Sequence, residues 1–275
     1  MSENLFDLTG KVAVVTGAGA NGGIGHAIAL GFAQHGADVV VSDIDDEGAR
    51  IAGEEIEALG RRAIVLHCDV SSTEDVDGLF AEVDAHFGRV DILVNVPFAS
   101  PERVRPHELS LWAWEKTLAV SLSGYFLCAR QAIRRMLERD AGGCILNICS
   151  IAGVTALGRG NFPYSVAKGG VAQMTKELAV EYAGQGIRVN AILPAQVLTP
   201  TLQGIIDDPQ FNADRLIARF LVGIPINRLL NPEDFVGPAV FLCSDAAAVV
   251  TGVLLPVDGG NLALNAGGSH IWPSD

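Results

Sequence analysis

A tyrosine and a lysine four residues apart are the residues of this sequence best suited to move a proton. Tyr164 and Lys168 lie in a segment with helical spacing, so their side chains share one face of the helix. An ammonium beside a phenol favours the phenolate and lowers the tyrosine pKa from its usual value of about 10. The pair is therefore expected to act as a general acid or base near neutral pH.

A glycine-rich segment between an apolar run and a helical pattern predicts a dinucleotide site. Residues 17–25 read Gly-Ala-Gly-Ala-Asn-Gly-Gly-Ile-Gly and follow Thr16. Glycines let a backbone pass close to a pyrophosphate, and the first turn of the following helix offers unpaired N–H groups. The strand–turn–helix context near the N-terminus is what gives this motif weight. The alternative is an ordinary tight turn.

Asp43 ends the second apolar run and predicts which dinucleotide is bound. A carboxylate at this place accepts hydrogen bonds from an adenosine ribose and repels a 2′-phosphate. The next residues, Ile44, Asp45 and Asp46, add no cation. The sequence therefore favours NAD over NADP. The alternative is that Asp43 only caps the next helix.

An alternation of strands and helices must position these residues. Apolar runs of strand length are Val12–Thr16, Asp38–Ser42, Ala63–His67, Ile92–Val96, Cys144–Ile148, Arg188–Leu193 and Gly252–Val257. Helical spacing covers Gly25–His35, Asp46–Leu59, Ser72–Phe87, Leu111–Arg139 and Tyr164–Gly184. Strands that are apolar on both faces and separated by helices specify a parallel sheet covered on both sides. The pattern predicts an α/β fold with a Rossmann-type, doubly wound parallel sheet of about seven strands.

The chain is predicted to form a single NAD-binding catalytic domain over residues 1–275. No repeat, low-complexity tract or linker divides it. Residues 195–231 are rich in proline and are expected to form a substrate-binding lid or loop insertion, with a short helix over Asn212–Leu221. Residues 261–275 are expected to form a C-terminal tail.

Composition excludes several classes of protein. The 275 residues are 49% hydrophobic and 19% charged, so a sizeable core is available and disorder is excluded. A net charge of −13 argues against binding to nucleic acid or to an anionic membrane. The absence of a secretory signal or a membrane-spanning run predicts a cytoplasmic protein. Five cysteines without CxxC pairs predict free buried thiols, and the histidine spacing suggests no metal site.

Further motifs, in order along the chain, resemble those of the classical short-chain dehydrogenase/reductases. After the glycine turn come Asp69-Val70, Asn147-Ile148-Cys149-Ser150, Tyr164-Ser165-Val166-Ala167-Lys168, Ile187-Arg188-Val189-Asn190 and Val257-Asp258-Gly259-Gly260. The resemblance covers residues 8–260. So many ordered motifs are specific for the family and much less specific for a substrate.

The resemblance implies a role for each matching residue. Tyr164 is the acid/base, Lys168 holds the nicotinamide ribose and tunes Tyr164, and Ser150 hydrogen-bonds the substrate oxygen. The implied cofactor contacts are Gly17, Asn21, Gly23, Ile24 and Gly25 in the phosphate-binding turn, Asp43 at the adenosine ribose, Asp69 and Val70 at the adenine, Asn95 near the adenosine side, and Pro194, Val197 and Thr199 at the nicotinamide. The resemblance also implies a homo-oligomer, either a tetramer or a dimer.

The sequence departs from the family pattern at four places. Five residues, not three, separate Gly17 from Gly23, so the turn is enlarged. The family's Asn-Asn-Ala-Gly is Asn95-Val96-Pro97-Phe98 here, which predicts either a rearranged loop or an aromatic wall near the substrate. Ser121 replaces the asparagine that holds a water in the proton relay, and a hydroxyl can hold a water too. Ala195 replaces a glycine, a mild change.

The sequence as a whole predicts an NAD-dependent oxidoreductase that transfers a hydride between nicotinamide and a secondary alcohol or ketone. A small polar or cyclic substrate is expected, either a sugar or polyol, or an alicyclic or aromatic-pathway diol. One alternative is a 3-oxoacyl-carrier reductase using NADPH, against which Asp43 argues. Another is a redox-inactive NAD-binding protein, against which the intact Ser150, Tyr164 and Lys168 argue.

Overall fold

The protein is a seven-stranded parallel sheet with helices on both faces, as predicted. The computed structural model describes residues 4–158, 160–210 and 212–264. The strands, β1 to β7 in chain order, are Val12–Thr16, Asp38–Asp43, Ala63–His67, Ile92–Asn95, Gly143–Ile148, Ile187–Pro194 and Leu254–Val257. They are arranged in the order β3-β2-β1-β4-β5-β6-β7. The order of the strands reverses between β1 and β4. Doubly wound sheets bind their ligands at such a switch point.

Nine α-helices lie in the described ranges, and most of them pack on the sheet. They are α1 to α9, at Ile24–Gln34, Asp46–Ala58, Thr73–Phe87, Leu111–Leu118, Gly124–Glu138, Phe162–Tyr182, Pro200–Asp207, Ala213–Leu221 and Val236–Cys243. Alternate residues of β1 face opposite layers, because side chains along a strand alternate between the two faces. Ala13 and Val15 join the core beneath α1 and α2, whereas Val12 and Val14 join the core beneath α3 and α5. All five cysteines are free and buried, as predicted.

Proline accounts for two differences from the predicted element bounds. The fourth strand ends at Asn95 rather than Val96, because Pro97 has no N–H to donate and restricts the residue before it. Helix α6 begins at Phe162 rather than Tyr164, since Pro163 is tolerated in the first turn of a helix.

The predicted helix over Leu111–Arg139 contains a widened turn. Helices α4 and α5 are joined without a loop by a π-helical segment, Ala119–Ser123. A single π turn inside an α-helix often lies at a functional site. Ser121 is fully buried in this segment.

The two ends of the 195–231 insertion are hydrogen-bonded to each other. Val197 and Leu230 form an isolated parallel bridge, and the N–H of Leu198 donates to the carbonyl of Leu230 at 2.7 Å. The predicted short helix is α8, which begins after its N-cap Asn212. Helix α7 was not predicted, although Thr199 caps it and Pro200 opens it. The part of the predicted 261–275 tail beyond residue 264 lies outside the described residues.

Two glycines shape the turn after β1. Gly17 has a φ of +74°, which a residue with a side chain rarely adopts. A Cβ at residue 25 would overlap the carbonyl oxygen of Gly17, so only glycine allows α1 to start this close to the end of β1. The extra residues of the enlarged turn reach towards β2, where the N–H of Gly19 donates to Asp43 at 2.8 Å.

We expect Gly25→Ala to destabilise the protein by about 1–3 kcal/mol, because the new methyl group overlaps the backbone of the turn. Urea denaturation measures this change in the free energy of unfolding. The matched control is Gly78→Ala in α3, where a Cβ meets no atom within 4 Å. The control is expected to stabilise the protein by about 0.5–1 kcal/mol, because alanine has the higher helix propensity. Equal effects of the two substitutions would contradict this account of the turn.

Candidate active site

The carboxyl ends of six strands meet at one edge of the sheet, and the predicted site residues follow them. The turn 17–25 follows β1, Asp43 ends β2 and Asp69-Val70 follow β3. Asn95 ends β4, Ser150 follows β5, and Pro194 ends β6. Tyr164 and Lys168 reach the same edge from the first turns of α6. The sequence motifs therefore converge on one place, as the sheet topology requires.

Lys168 is the most constrained side chain of the site. It is 2% exposed, and its Nζ donates to the hydroxyl of Tyr125 and to the carbonyl of Ile148, both at 2.8 Å. The Tyr125 hydroxyl in turn donates to the carbonyl of Ile148 at 3.0 Å. Burial lowers the pKa of Lys168 to about 8. Two of the three ammonium protons thus have acceptors within the described residues.

The expected lowering of the Tyr164 pKa by Lys168 is wrong for the protein alone. Burial raises the pKa of Tyr164 to about 12, and a hydrogen bond with Ser150 offsets only part of that rise. The Lys168 Nζ lies 5.8 Å from the centre of the Tyr164 ring, and its hydrogen bonds go to other groups. The phenol is therefore protonated near neutral pH in the protein without cofactor.

Tyr125 was missed by sequence reasoning. It is fully buried, four residues after Ser121, and burial raises the pKa of its phenol well above the usual value. Its hydroxyl is a direct hydrogen-bond partner of Lys168. The one signal in the sequence was the small number of tyrosines, since the chain has only three. The structure places two of them, Tyr125 and Tyr164, beside Lys168.

Ser121 holds the loop after β4. Its Oγ accepts from the N–H of Ala99 at 2.9 Å. The same loop brings Phe98 edge-on to Tyr164, with 5.9 Å between the ring centres, which favours the aromatic wall over a merely rearranged loop. Pro97 packs against Gly17, where an added Cβ would lie 3.0 Å from the proline ring. A relay role for Ser121 stays a prediction.

The predicted cofactor residues near the adenosine side have protein partners of their own. The Asp43 carboxylate accepts from the N–H groups of Gly19, Ile44 and Asp45 at 2.7–3.0 Å. Burial raises the pKa of Asp69, but hydrogen bonds from Ser71 and Lys116 outweigh it and leave the pKa below its usual value. These contacts orient the two carboxylates at the edge of the sheet.

The remaining predicted cofactor residues end or follow β1, β3, β4 and β6. Val70 is buried, Asn21 is exposed in the turn, and Thr199 accepts from the N–H of Leu202 as the N-cap of α7. Asn95 donates to Asn147 at 3.0 Å, while its Oδ1 is buried with no partner in the described part of the chain.

The residues present fit a dinucleotide. Helix α1 begins after Gly23, and within the described ranges no side chain caps its N-terminus and no acidic residue lies in its first turn. Such a helix end attracts phosphate. The unpartnered Asn95 Oδ1 and the third Lys168 proton are further polar groups left for a ligand at the same edge. A buried acceptor without a partner costs about 1–3 kcal/mol, which a ligand donor would recover.

Comparisons with known proteins identify the family. A family model described as enoyl-(acyl carrier protein) reductase matches residues 17–261. The D-threitol dehydrogenase of Mycolicibacterium smegmatis is 41% identical over 93% of this chain and 94% of its own. The chain belongs to the short-chain dehydrogenase/reductase family. It is an oxidoreductase acting on CH–OH groups, and the redox-inactive alternative is not supported.

Two other relatives of the family extend the comparison. The cis-4-hydroxycyclohexanecarboxylate dehydrogenase of Sinomonas cyclohexanicum is 40% identical over 92% of this chain and 97% of its own. The gluconate 5-dehydrogenase of Burkholderia cenocepacia, solved in complex with NADP and tartrate, is 30% identical. Its TM-score is 0.85, over 95% of this chain and 98% of that chain.

The stability of the protein should depend on pH through Lys168. Its pKa is about 8 in the folded protein and 10.5 for the free side chain, so between these values the unfolded chain binds the proton that the folded protein has lost. Stability therefore rises with pH over this window, by about 3 kcal/mol at most. Urea denaturation of wild type and Lys168→Met at pH 7 to 10.5 measures the difference, which is expected to shift in favour of wild type as pH rises. Parallel curves would contradict the lowered pKa.

Proposed function

We propose that the protein is an NAD-dependent dehydrogenase of a small polar or cyclic secondary alcohol, or a reductase of the corresponding ketone. The observation that carries the proposal is the group formed by Ser150, Tyr164 and Lys168 at the carboxyl edge of the sheet. The known relatives are dehydrogenases of a polyol and of a hydroxylated ring acid, which supports the substrate class. An alcohol panel with NAD, followed by the absorbance of NADH, tests it directly.

In this proposal the residues of the chain orient the substrate and transfer its proton, and NAD, when bound, would accept the hydride. Ser150 holds the substrate oxygen, and Tyr164 takes the hydroxyl proton as the carbinol carbon loses a hydride and becomes a carbonyl. Lys168 holds the nicotinamide ribose with its third proton. Because the pKa of Tyr164 is raised in the protein alone, the phenol needs an added positive charge or a relay to release its proton. We propose Ser121 as the start of such a relay.

The cofactor contacts are proposed as the family pattern implies them. Asp43 binds the adenosine ribose, and its negative charge excludes a 2′-phosphate. The gluconate 5-dehydrogenase of Burkholderia cenocepacia was solved with NADP, so the family alone does not select NAD and the choice proposed here rests on this chain's own residues. Residues 195–231 act as a substrate-binding lid in this proposal, because α8 lies over the cavity beside Ile151.

We also propose a homo-oligomer, either a tetramer or a dimer, in the cytoplasm. Large apolar side chains of α4 to α6 are exposed, including Leu111, Trp112 and Phe126. Such a patch favours contact with a second copy. Light scattering measures the number of subunits. Within the part of the chain that the structure describes, no helix has the length and apolar character of a membrane span.

We expect Tyr164→Phe to lower turnover by at least about 100-fold, because it deletes the proton-transferring hydroxyl and keeps the ring. NADH affinity should be kept, and fluorescence titration measures it. The matched control is Tyr182→Phe, which removes a phenol oxygen outside the site and should leave turnover unchanged. A Tyr164→Phe variant as fast as wild type would refute the assigned acid/base.

We expect Asp43→Asn to narrow the preference for NADH over NADPH. Wild type should bind NADH at least about tenfold more tightly, because a 2′-phosphate lies beside a carboxylate only in NADPH. The asparagine keeps the size and much of the hydrogen bonding but removes the charge. Asp46→Asn is the control, since it removes a nearby exposed charge outside the proposed ribose site. Equal affinities of wild type for NADH and NADPH would contradict the proposed role of Asp43 in selecting NAD.

A further inference from the structure

A cavity of about 600 Å³ opens beside the catalytic residues. One wall contains Ile151, which directly follows Ser150, and Asn161, the N-cap of α6 three residues before Tyr164. The opposite wall comes from α8 of the 195–231 insertion. Its volume suits a small-molecule substrate. The charged and polar residues that line this cavity therefore bear on which alcohol is selected.

Two arginines are the only charged residues among the described residues that line this cavity. Arg103 and Arg219 both line it, and no Asp or Glu does. Neither arginine forms an ion pair with any residue in the described ranges. Six other arginines of the described ranges pair with carboxylates: Arg50, Arg61, Arg89, Arg135, Arg139 and Arg228. In a chain of net charge −13, this cavity is a local site of positive charge.

The two arginines are placed by separate elements. Arg103 lies in the loop between β4 and α4, and its backbone packs against Gly160, where an added Cβ would lie 2.7 Å from its carbonyl carbon. Arg219 lies on α8, three residues after Leu216, so the two side chains share a helical face and line the same cavity. The convergence therefore depends on the folded insertion.

A buried acceptor also belongs to this wall. Gln196 lines the cavity, and its Oε1 is buried without a hydrogen-bond partner in the described part of the chain. A hydroxyl donor from a ligand would satisfy it, since buried polar atoms are nearly always hydrogen-bonded. The cavity thus offers two cations for an anion and one acceptor for a hydroxyl.

We propose that the substrate is a small hydroxy acid whose carboxylate binds Arg103 and Arg219, with a hydroxyl donating to Gln196. This inference rests on the proposed function and assigns the part of the substrate that does not react. Guanidinium groups match the planar geometry of a carboxylate and bind it with two parallel hydrogen bonds. A carboxylate in the name of one relative's substrate and the tartrate bound to another relative support the same class.

The test compares acids with their neutral amides. The substrates are cis-4-hydroxycyclohexanecarboxylate and D-gluconate, each paired with its carboxamide, with D-glucitol 6-phosphate as a second anion. For the preferred acid, kcat/KM should exceed that of its amide by at least about tenfold, because only the acid pairs with the arginines. Arg103→Ala and Arg219→Ala should each remove most of this difference, mainly by raising KM for the acid, and leave the amide nearly unchanged.

Matched controls and a binding readout keep the result interpretable. Arg105→Ala and Arg215→Ala remove arginines from the same loop and the same helix that do not line the cavity, and should change neither substrate's kinetics. Cyclohexanecarboxylate, which has no hydroxyl to oxidise, should inhibit wild type more strongly than its amide and lose that advantage in Arg103→Ala. Arg103→Lys and Arg219→Lys should each keep part of the preference for the acid that the alanine variants lose.

The outcomes separate this inference from the proposed function. Equal kcat/KM for each acid and its amide in wild type, with neither value changed in Arg103→Ala or Arg219→Ala, would overturn the carboxylate site and leave the dehydrogenase intact. A preference for the phosphorylated polyol over every acid would overturn the choice of carboxylate. Absence of NADH formation with all substrates, acids and amides alike, would overturn the proposed function and this inference together.

Discussion

The proposed active site depends on the burial of one ammonium group. Lys168 lies on α6, yet its hydrogen bonds go to the end of β5 and to Tyr125 on α5, so three elements must be in place before the charge is satisfied. A buried charge without such partners is strongly destabilising. The same contacts that stabilise the lysine therefore fix where α5 and α6 lie relative to the sheet, and with them the position of Tyr164.

The sheet register brings distant residues to the same edge. Thr16 pairs with Asn95, and Asn95 with Asn147, across three neighbouring strands. Asn147 continues this row by donating to Thr175 of α6 at 3.0 Å. A row of short polar side chains thus links the glycine turn region to α6 through the buried centre of the protein. Slippage of one strand would separate the proposed cofactor residues from the proposed proton-transfer residues.

Local patterns were enough to predict the strands, most helices and the residues at the strand ends. The topology follows because parallel strands joined by helices leave few arrangements. The predicted lowering of the Tyr164 pKa was wrong, because the helical spacing between Tyr164 and Lys168 does not indicate how buried the phenol is or which other acceptors the lysine has. The contact of Tyr125 with Lys168 and the presence of Arg103 and Arg219 in one cavity could not be predicted, since they depend on contacts between segments far apart in sequence.

The Val197–Leu230 bridge makes the segment between them a closed loop whose two ends are fixed to each other. The entropy lost on closing a loop grows only slowly with its length. Residues can therefore be gained, lost or exchanged between the two anchors at little cost to the sheet below. Evolution can therefore change the proposed substrate-selecting wall while the proposed proton-transfer residues on α6 stay in place, so a change of substrate in this fold requires no change of chemistry.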